Sequence, residues 1–182
     1  MNWQVSHRAD PEVVPIADRH YNRQKIGSPQ FVPPGRCLVL KIGTRQQLFN
    51  RWTGGAFWIT SWPFAEYVKH QWAGAWVCSA FRNERAGLSS ELIREAIAIT
   101  RGIWEVPPLG MITFVDEGKT RRGRGKNSEP GKCYIEAGFT RVGDTKGGLP
   151  ALQILPAAMP EPLIIESAQS SLFELATEEG RN

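Results

Sequence analysis

Cysteine is scarce in this chain, and its few copies are irregularly spaced. The 182 residues contain 3 Cys, at Cys37, Cys78 and Cys133, and no two of them form a C-x-x-C pair. Small disulfide scaffolds carry dense, even sets of cysteines, so the sequence excludes that class. Cys37 and Cys78 lie in apolar, strand-like runs, which predicts reduced cysteines in the core of a cytosolic protein.

Long apolar segments are absent as well. A membrane-spanning helix needs about 20 consecutive apolar residues, and no such run occurs, so no membrane partner is expected. Residues 1–10 are polar and charged without an apolar signal core, which predicts a cytoplasmic location rather than secretion. With 41% hydrophobic residues and 7 Trp, the chain has enough apolar material for the core of one domain.

Charge is distributed unevenly along the chain. Residues 156–182 carry five acidic groups and one basic group. The 22 basic and 18 acidic residues of the whole chain therefore leave 21 basic and 13 acidic groups, a net charge of +8, in residues 1–155. We predict one domain over residues 1–156 and an acidic tail over residues 157–182. A basic body indicates a polyanionic partner, either nucleic acid or a phosphorylated cofactor.

Six short runs of apolar, aromatic and β-branched residues predict the strands of a sheet. They cover residues 37–42, 56–62, 74–81, 109–115, 139–142 and 151–155. The proline-rich residues 27–35 are expected to form a loop. Residues 64–72 fit either a long loop or a short helix, and residues 117–130 read as a Gly- and Arg-rich loop.

The clearest predicted helix begins at Ser89 and Ser90, with a serine as its expected cap. Leu88, Leu92, Ala96, Ile99 and Ile103 recur on one helical face. Pro107 and Pro108 end the helical pattern. A second, short helix is predicted over residues 132–137, with a glycine directly after it.

This order of elements predicts an α+β fold with a mixed, mostly antiparallel central sheet flanked by helices. A buried strand, a loop, a short helix, an Ala-Gly-Phe turn at residues 137–139 and a new strand follow one another in the second half of the chain. That succession resembles the second half of an acetyltransferase-type (GNAT) domain, and the resemblance implies a ligand cleft at the strand ends.

Four polar side chains are candidates for catalysis. His20 and Tyr21 follow Arg19 on a polar segment and could supply a metal ligand, a proton relay or an anion contact; a solvated helical turn is the alternative. Asp116 directly follows an apolar strand and fits a metal ligand, a general base or a simple turn residue. Tyr134 lies on the short second helix, where its hydroxyl could face the cleft or form the wet tip of a core side chain.

A basic, glycine-interrupted segment follows Asp116. Cationic side chains spaced by glycine can contact successive phosphates, and a solvated loop is the alternative. The predicted nucleic-acid-binding residues are Lys119, Arg121, Arg122, Arg124 and Lys126.

The segment between the third predicted strand and the first helix is a candidate donor-binding turn. Acetyltransferases place a Gly-rich turn here, whose backbone N–H groups hold the pyrophosphate of coenzyme A. In this chain Arg85 occupies the place of the first glycine and only Gly87 remains, so ordinary acetyl-coenzyme A binding is disfavoured. The candidate cofactor-binding residues are Arg82, Arg85, Gly87 and Ser89.

Several short motifs are shared with one known family. They read RHYN…PPGRCLVL, WITSWP, WVCSAFRNE…SSELIREAI, ITFVD and PGKCYIEAGFTRVGDTKGGLPALQ. Together, over roughly residues 15–156, they resemble the Mom-like DNA-modification proteins of bacteriophages, which are diverged acetyltransferase-fold proteins.

The resemblance implies an enzyme that converts the exocyclic amine of adenine in phage DNA to a carbamoylmethyl (acetamido) derivative, which protects the DNA from host restriction. It also implies an iron(II)-dependent activity in the host cytoplasm, with double-stranded DNA as the partner and an acyl or glycyl donor. The residues that carry over by motif are His20, Tyr21, Ser90 (or Ser89), Asp116 and Tyr134, with His20 and Asp116 as metal ligands. A homodimer is left open.

Two other functions stay open at this point. The first is a conventional acetyltransferase that uses acetyl-coenzyme A on a small amine or a protein, against which the weak pyrophosphate turn argues. The second is a non-catalytic nucleic-acid binder, for example an antirestriction decoy, which would bind DNA in a salt-sensitive way without changing its nucleosides.

Overall fold

The computed structural model describes residues 3–32, 34–43, 55–120 and 130–165. These residues form an α+β fold around one mixed sheet, which confirms the predicted fold class. The described strands are β1 (Gln4–Ser6), β2 (Cys37–Gly43), β3 (Gly55–Ser61), β4 (Trp76–Glu84), β5 (Met111–Phe114), β6 (Thr140–Asp144) and β7 (Pro150–Ile154). The described α-helices are α1 (Val14–Asp18), α2 (Ser89–Ile103), α3 (Glu117–Thr120) and α4 (Lys132–Glu136).

The strands are ordered β1-β2-β3-β4-β5-β7-β6 across the sheet. Only the β4–β5 pair is parallel; the other described neighbours run antiparallel. This agrees with the prediction of a mixed, mostly antiparallel sheet. The parallel pair arises because α2 lies between these two strands in sequence and carries the chain back to the same end of the sheet.

Helix α2 packs its apolar stripe on one face of the sheet. Ile93, Ile97 and Ile99 are fully buried in a cluster with Trp58 and Trp76, as the helical periodicity predicts. The predicted serine cap is wrong. The residue before the helix is Leu88 in an extended conformation, and no side chain caps the helix.

The opposite face of the sheet carries a smaller apolar cluster. Val13, Ile16 and Ala17 from α1 and its approach pack there on Val39, Phe57 and Ile59. This layer was only partly predictable, because α1 has five residues and too little helical periodicity to be recognised. It matters for function because it fixes the position of the residues that directly follow α1.

Three short helical turns lie in or beside segments that were predicted as loops or as the tail, or were left ambiguous. The first four residues of the predicted 117–130 loop form the single helical turn α3. The ambiguous residues 64–72 contain a 3₁₀ turn, Ala65–Tyr67, and no longer helix. A second 3₁₀ turn, Pro156–Ala158, follows β7.

The chain continues to pack beyond the domain boundary predicted at residue 156. The backbone N–H of Leu163 donates to the carbonyl of Ala98 on α2 at 2.8 Å, and the Arg101 guanidinium donates to the carbonyl of Met159 at 3.2 Å. Leu163 and Ile165 pack against the main core. We refer to residues 159–165 as the strap. Most of the predicted acidic tail lies outside the described residues.

Within the described ranges, no helix has the length and apolarity needed to cross a bilayer.

Candidate functional site

The site forms where the two parallel strands separate. β4 and β5 pair at only three positions, from Trp76↔Met111 to Cys78↔Thr113. Beyond these pairs β5 ends at Phe114, whereas β4 continues to Glu84. A β-bulge in the β3–β4 ladder falls at the same level and bends β4 further. The separation opens a cavity of about 720 Å³, which we call the main cleft.

The main cleft brings together residues that are far apart in sequence. The turn after α1 contributes His20 and Tyr21, the end of β5 contributes Asp116, and α4 contributes Tyr134. Four of the five residues predicted to be catalytic therefore line one cavity. Lining by itself does not test their roles, which stay predictions.

Tyr134 lies at the inner end of the main cleft. Its hydroxyl is 3.5 Å from the Cys78 thiol, and its ring packs edge-on against Phe81 and Phe139. Burial raises the pKa of Tyr134 well above its usual value and raises the pKa of the Cys78 thiol to about 12. Both groups are therefore protonated at neutral pH and can donate a hydrogen bond to a ligand oxygen.

Tyr21 adds a second phenol to this region. Burial raises its pKa, an effect opposed by a hydrogen bond from the backbone N–H of Asp116. The Cys133 thiol also lines the cleft, and burial raises its pKa in turn. The inner part of the cleft thus presents neutral O–H and S–H groups rather than anions.

His20 is fixed in a mostly buried position between the two apolar layers. Its ring stacks on Tyr21 at 4.5 Å and meets Phe57 edge-on at 5.9 Å. Its Nδ1 accepts the backbone N–H of Asn22 at 3.2 Å. Burial, together with the positive charge of Arg82, lowers the pKa of His20 to about 4. The imidazole is therefore neutral at physiological pH.

Asp116 has a structural role as well as a place in the cleft. Its Oδ1 accepts the backbone N–H of Lys119 at 3.1 Å, so it caps the turn α3. Its Oδ2 lies 3.5 Å from the Lys119 ammonium, and the side chain is 26% exposed. Of the described residues that line the main cleft, Asp116 is the one carboxylate, which makes it the candidate proton acceptor.

The predicted iron site does not follow from this geometry. His20 Nδ1 is occupied by the Asn22 N–H, the Phe81 backbone accepts a hydrogen bond from the same ring, and Asp116 Oδ1 is occupied by the Lys119 N–H. No group of three His, Cys, Asp or Glu side chains that could hold a metal is found among the described residues. These donors do not fit a two-residue iron site as they stand.

The predicted donor-binding turn contributes unequally to the main cleft. Arg82 and Ser89 line it, whereas Ser90 is 7% exposed and buried beneath it. Asn83 organises the turn: its side-chain amide donates to the Gly87 carbonyl at 2.8 Å and to the Ser89 hydroxyl at 2.9 Å. Arg85 and Gly87 do not line the cleft.

Arg85 occupies a backbone conformation that favours glycine, with φ of 65°. A side chain in the left-handed region costs about 1–2 kcal/mol. We therefore expect Arg85→Gly to raise the free energy of unfolding by about 1 kcal/mol, measured by urea denaturation. Arg85→Ala keeps the Cβ atom and should not raise it. Equal effects of the two substitutions would contradict this explanation.

The predicted nucleic-acid-binding residues are described only in part. Lys119 lies on α3, and its side chain is 60% exposed. Arg121, Arg122, Arg124 and Lys126 lie outside the described residues.

Sequence reasoning missed a charged network that holds the His20–Tyr21 turn. Glu84, at the end of β4, accepts two hydrogen bonds from Arg19, at 2.9 and 2.6 Å, and one from Arg82 at 2.6 Å. Arg82 also donates to the Arg19 carbonyl at 2.6 Å. No local signal identifies this network, because Arg19 is more than 60 residues from Arg82 and Glu84 in sequence.

Comparisons with protein-family models, with curated proteins and with solved structures found no match for this chain.

Proposed function

We propose that the protein is a DNA-modifying transferase that converts the exocyclic amine of adenine to its carbamoylmethyl derivative. The observation that carries the proposal is the convergence of His20, Tyr21, Asp116 and Tyr134 on one cleft between diverging strands. These are residues on which the resemblance to Mom-like proteins depends, and they are brought together from three separate parts of the chain.

The finer fold proposal is an acetyltransferase-type (GNAT) domain. It is supported by the strand order and by the single parallel pair β4–β5, joined through α2. Ligands in such sheets bind at the carboxyl ends of parallel strands, where the main cleft opens.

The chemistry requires removal of a proton from the amine as the new N–C bond forms and as the bond between that carbon and the leaving group of the donor breaks. Asp116 is the candidate base, because it is the carboxylate among the described lining residues and remains partly accessible to solvent. The hydroxyls of Tyr21 and Tyr134 stay protonated and can donate hydrogen bonds to a carbonyl oxygen of the donor. Neutral His20 supports Tyr21 by stacking.

The amine of adenine is base-paired in duplex DNA and is accessible only along the major-groove edge, so we expect the base to be flipped outward to enter the cleft. Basic residues at the rim would hold the DNA through its phosphates. Lys119 contacts Asp116 of the cleft at 3.5 Å, and the sequence that follows contains Arg121, Arg122, Arg124 and Lys126. Modified DNA would then escape cleavage by host restriction enzymes.

The test is nucleoside mass spectrometry of plasmid DNA from cells that express the protein, compared with cells that carry the empty vector. We expect a deoxyadenosine species heavier by one carbamoylmethyl group. Phage-infected cells supply any phage-encoded donor, so the same measurement is repeated in them. If abundant, folded protein leaves the DNA unmodified in both kinds of cell, the proposal is wrong.

A conventional acetyltransferase is the second candidate, because one observation favours it. Beyond Cys78, the side of β4 that faces β5 has no paired strand among the described residues, so an amide-containing donor such as acetyl-coenzyme A could pair with it. Stoichiometric binding of acetyl-coenzyme A in calorimetry, without DNA modification, would favour this candidate. Salt-sensitive DNA binding with unmodified nucleosides would instead favour a non-catalytic binder.

A further inference from the structure

A second pocket adjoins the main cleft on the α1 face of the sheet. Its volume is about 300 Å³. The residues that line both cavities are His20, Asn22, Ser79 and Ala80. The two cavities therefore share one wall, formed by the turn after α1 and by β4 at its bulge.

The walls of the second pocket are apolar and aromatic. Phe31, Val32, Phe57 and Ile59 line it, and the Phe31 and Phe57 rings meet edge-on at 6.2 Å. A planar ring that enters this pocket can pack against these aromatic side chains.

The polar groups of the second pocket include three amides. Asn22, Gln24 and Gln30 line it, and amide side chains match the paired donor and acceptor atoms on the edge of adenine. The other polar lining residues are His20, Ser79 and the cations Arg23 and Lys25. The Arg23 guanidinium is already paired with Asp18 at 2.7 Å, and no Asp or Glu is found among the described lining residues. The pocket therefore suits a planar ring with hydrogen-bonding edges that carries no positive charge.

We propose that the second pocket binds the purine base of the acceptor nucleotide, and that the main cleft holds the group donor. This inference rests on the proposed function and names where its acceptor binds. A volume of about 300 Å³ lies at the lower end of the range for small-molecule sites and suits a single base. The larger main cleft has room for a longer donor.

The shared wall would place the acceptor base next to the candidate catalytic residues. A base seated against His20 and Ser79 would present its edge toward the main cleft, where Tyr21 and Asp116 lie. Because the imidazole is held by the Asn22 N–H and stacks on Tyr21, it forms a fixed boundary between the two substrates.

The experiment is an NMR titration of the full chain with 2′-deoxyadenosine, which carries no phosphate and so avoids the basic residues of the rim. Two variants alter the second pocket alone: the double substitution Gln24→Ala/Gln30→Ala, and Phe31→Ala. The control is Gln71→Ala, an exposed glutamine outside both cavities. Circular dichroism checks that each variant is folded.

We expect wild type and Gln71→Ala to bind deoxyadenosine equally and more tightly than deoxycytidine. The double variant should bind it about tenfold more weakly, which corresponds to about 1.4 kcal/mol, because it lacks the amides that pair with the adenine edge. Phe31→Trp should retain binding that Phe31→Ala loses. Undetectable binding by wild type, or equal binding by folded pocket variants, would overturn the inference.

The same variants in the plasmid assay separate this inference from the proposed function. If wild type modifies DNA and the pocket variants modify it equally well, the proposed function stands and the second pocket is not the acceptor site. If wild type leaves DNA unmodified but binds deoxyadenosine through Phe31 and the two glutamines, the pocket is a purine site and the proposed reaction is wrong.

Discussion

Replacing Asp116 with Asn is expected to lower the yield of modified deoxyadenosine at least a hundredfold. A positioned general base typically contributes about 10²- to 10⁴-fold to a rate, and an amide cannot accept the proton that the amine loses. The measurement is nucleoside mass spectrometry after matched expression.

This substitution separates the two roles of Asp116. Asn caps a helix about as well as Asp does, so the hydrogen bond that Oδ1 accepts from the Lys119 N–H can be kept while the charge is lost. Asp144→Asn is the matched control: Asp144 lies on β6, half exposed and paired with Arg141, outside the main cleft. Full modification by a stable Asp116→Asn protein would mean that Asp116 is a cap and no base.

As the pH falls, protonation of His20 is expected to destabilise the fold before the carboxylates of the strongest ion pairs become protonated. Burial, with the charge of Arg82, lowers the pKa of His20 from 6.5 to about 4, so folding favours the neutral ring. This contribution is complete above pH 6.5 and is lost as the pH falls toward 4. By pH 4.5 the loss should reach about 2–3 kcal/mol.

The pH window distinguishes His20 from the buried carboxylates. Hydrogen bonds from Arg19 lower the pKa of Glu84 to about 2. The contribution of Glu84 to folding stability is therefore present above the ordinary pKa of 4.5 and is lost only as the pH falls below that value. Urea unfolding at pH 7, 5.5 and 4.5 therefore reports mainly on histidine.

The matched variant is His20→Phe, which keeps a ring to stack on Tyr21 and Phe57 but cannot be protonated. Its stability should change little between pH 7 and 4.5. Burial also lowers the pKa of His70. The variant His70→Phe therefore measures how much of the pH-dependent loss of stability is due to His70. If His20→Phe loses as much stability as wild type does over this range, the buried imidazole is not the cause.

The regular elements were predictable because their signals are local. The 15 residues of α2 repeat apolar side chains with helical periodicity, and β2, β3 and β7 are short runs rich in apolar residues. The short elements α1 and α3 were not predictable as such, because four or five residues hold too little periodicity. The expected serine cap of α2 failed because the chain enters the helix through the extended Leu88.

The candidate site was predictable as a set of residues but not as an arrangement. A polar residue after a buried strand singled out Asp116, and the motif at residues 19–22 singled out His20 and Tyr21. Nothing in the sequence indicates that β4 leaves β5 after three pairs, or that His20 lines two cavities. These features depend on contacts between distant parts of the chain, which residue spacing does not encode.

The strap sets a practical limit on how the protein can be shortened. A version that stops after β7 would keep the seven described strands, yet it would uncover the apolar surface on which Leu163 and Ile165 pack and the carbonyl of Ala98. Newly exposed apolar surface promotes aggregation. Shortened proteins for crystallisation or NMR should therefore extend at least through Ile165, and an affinity tag at that end should follow this residue.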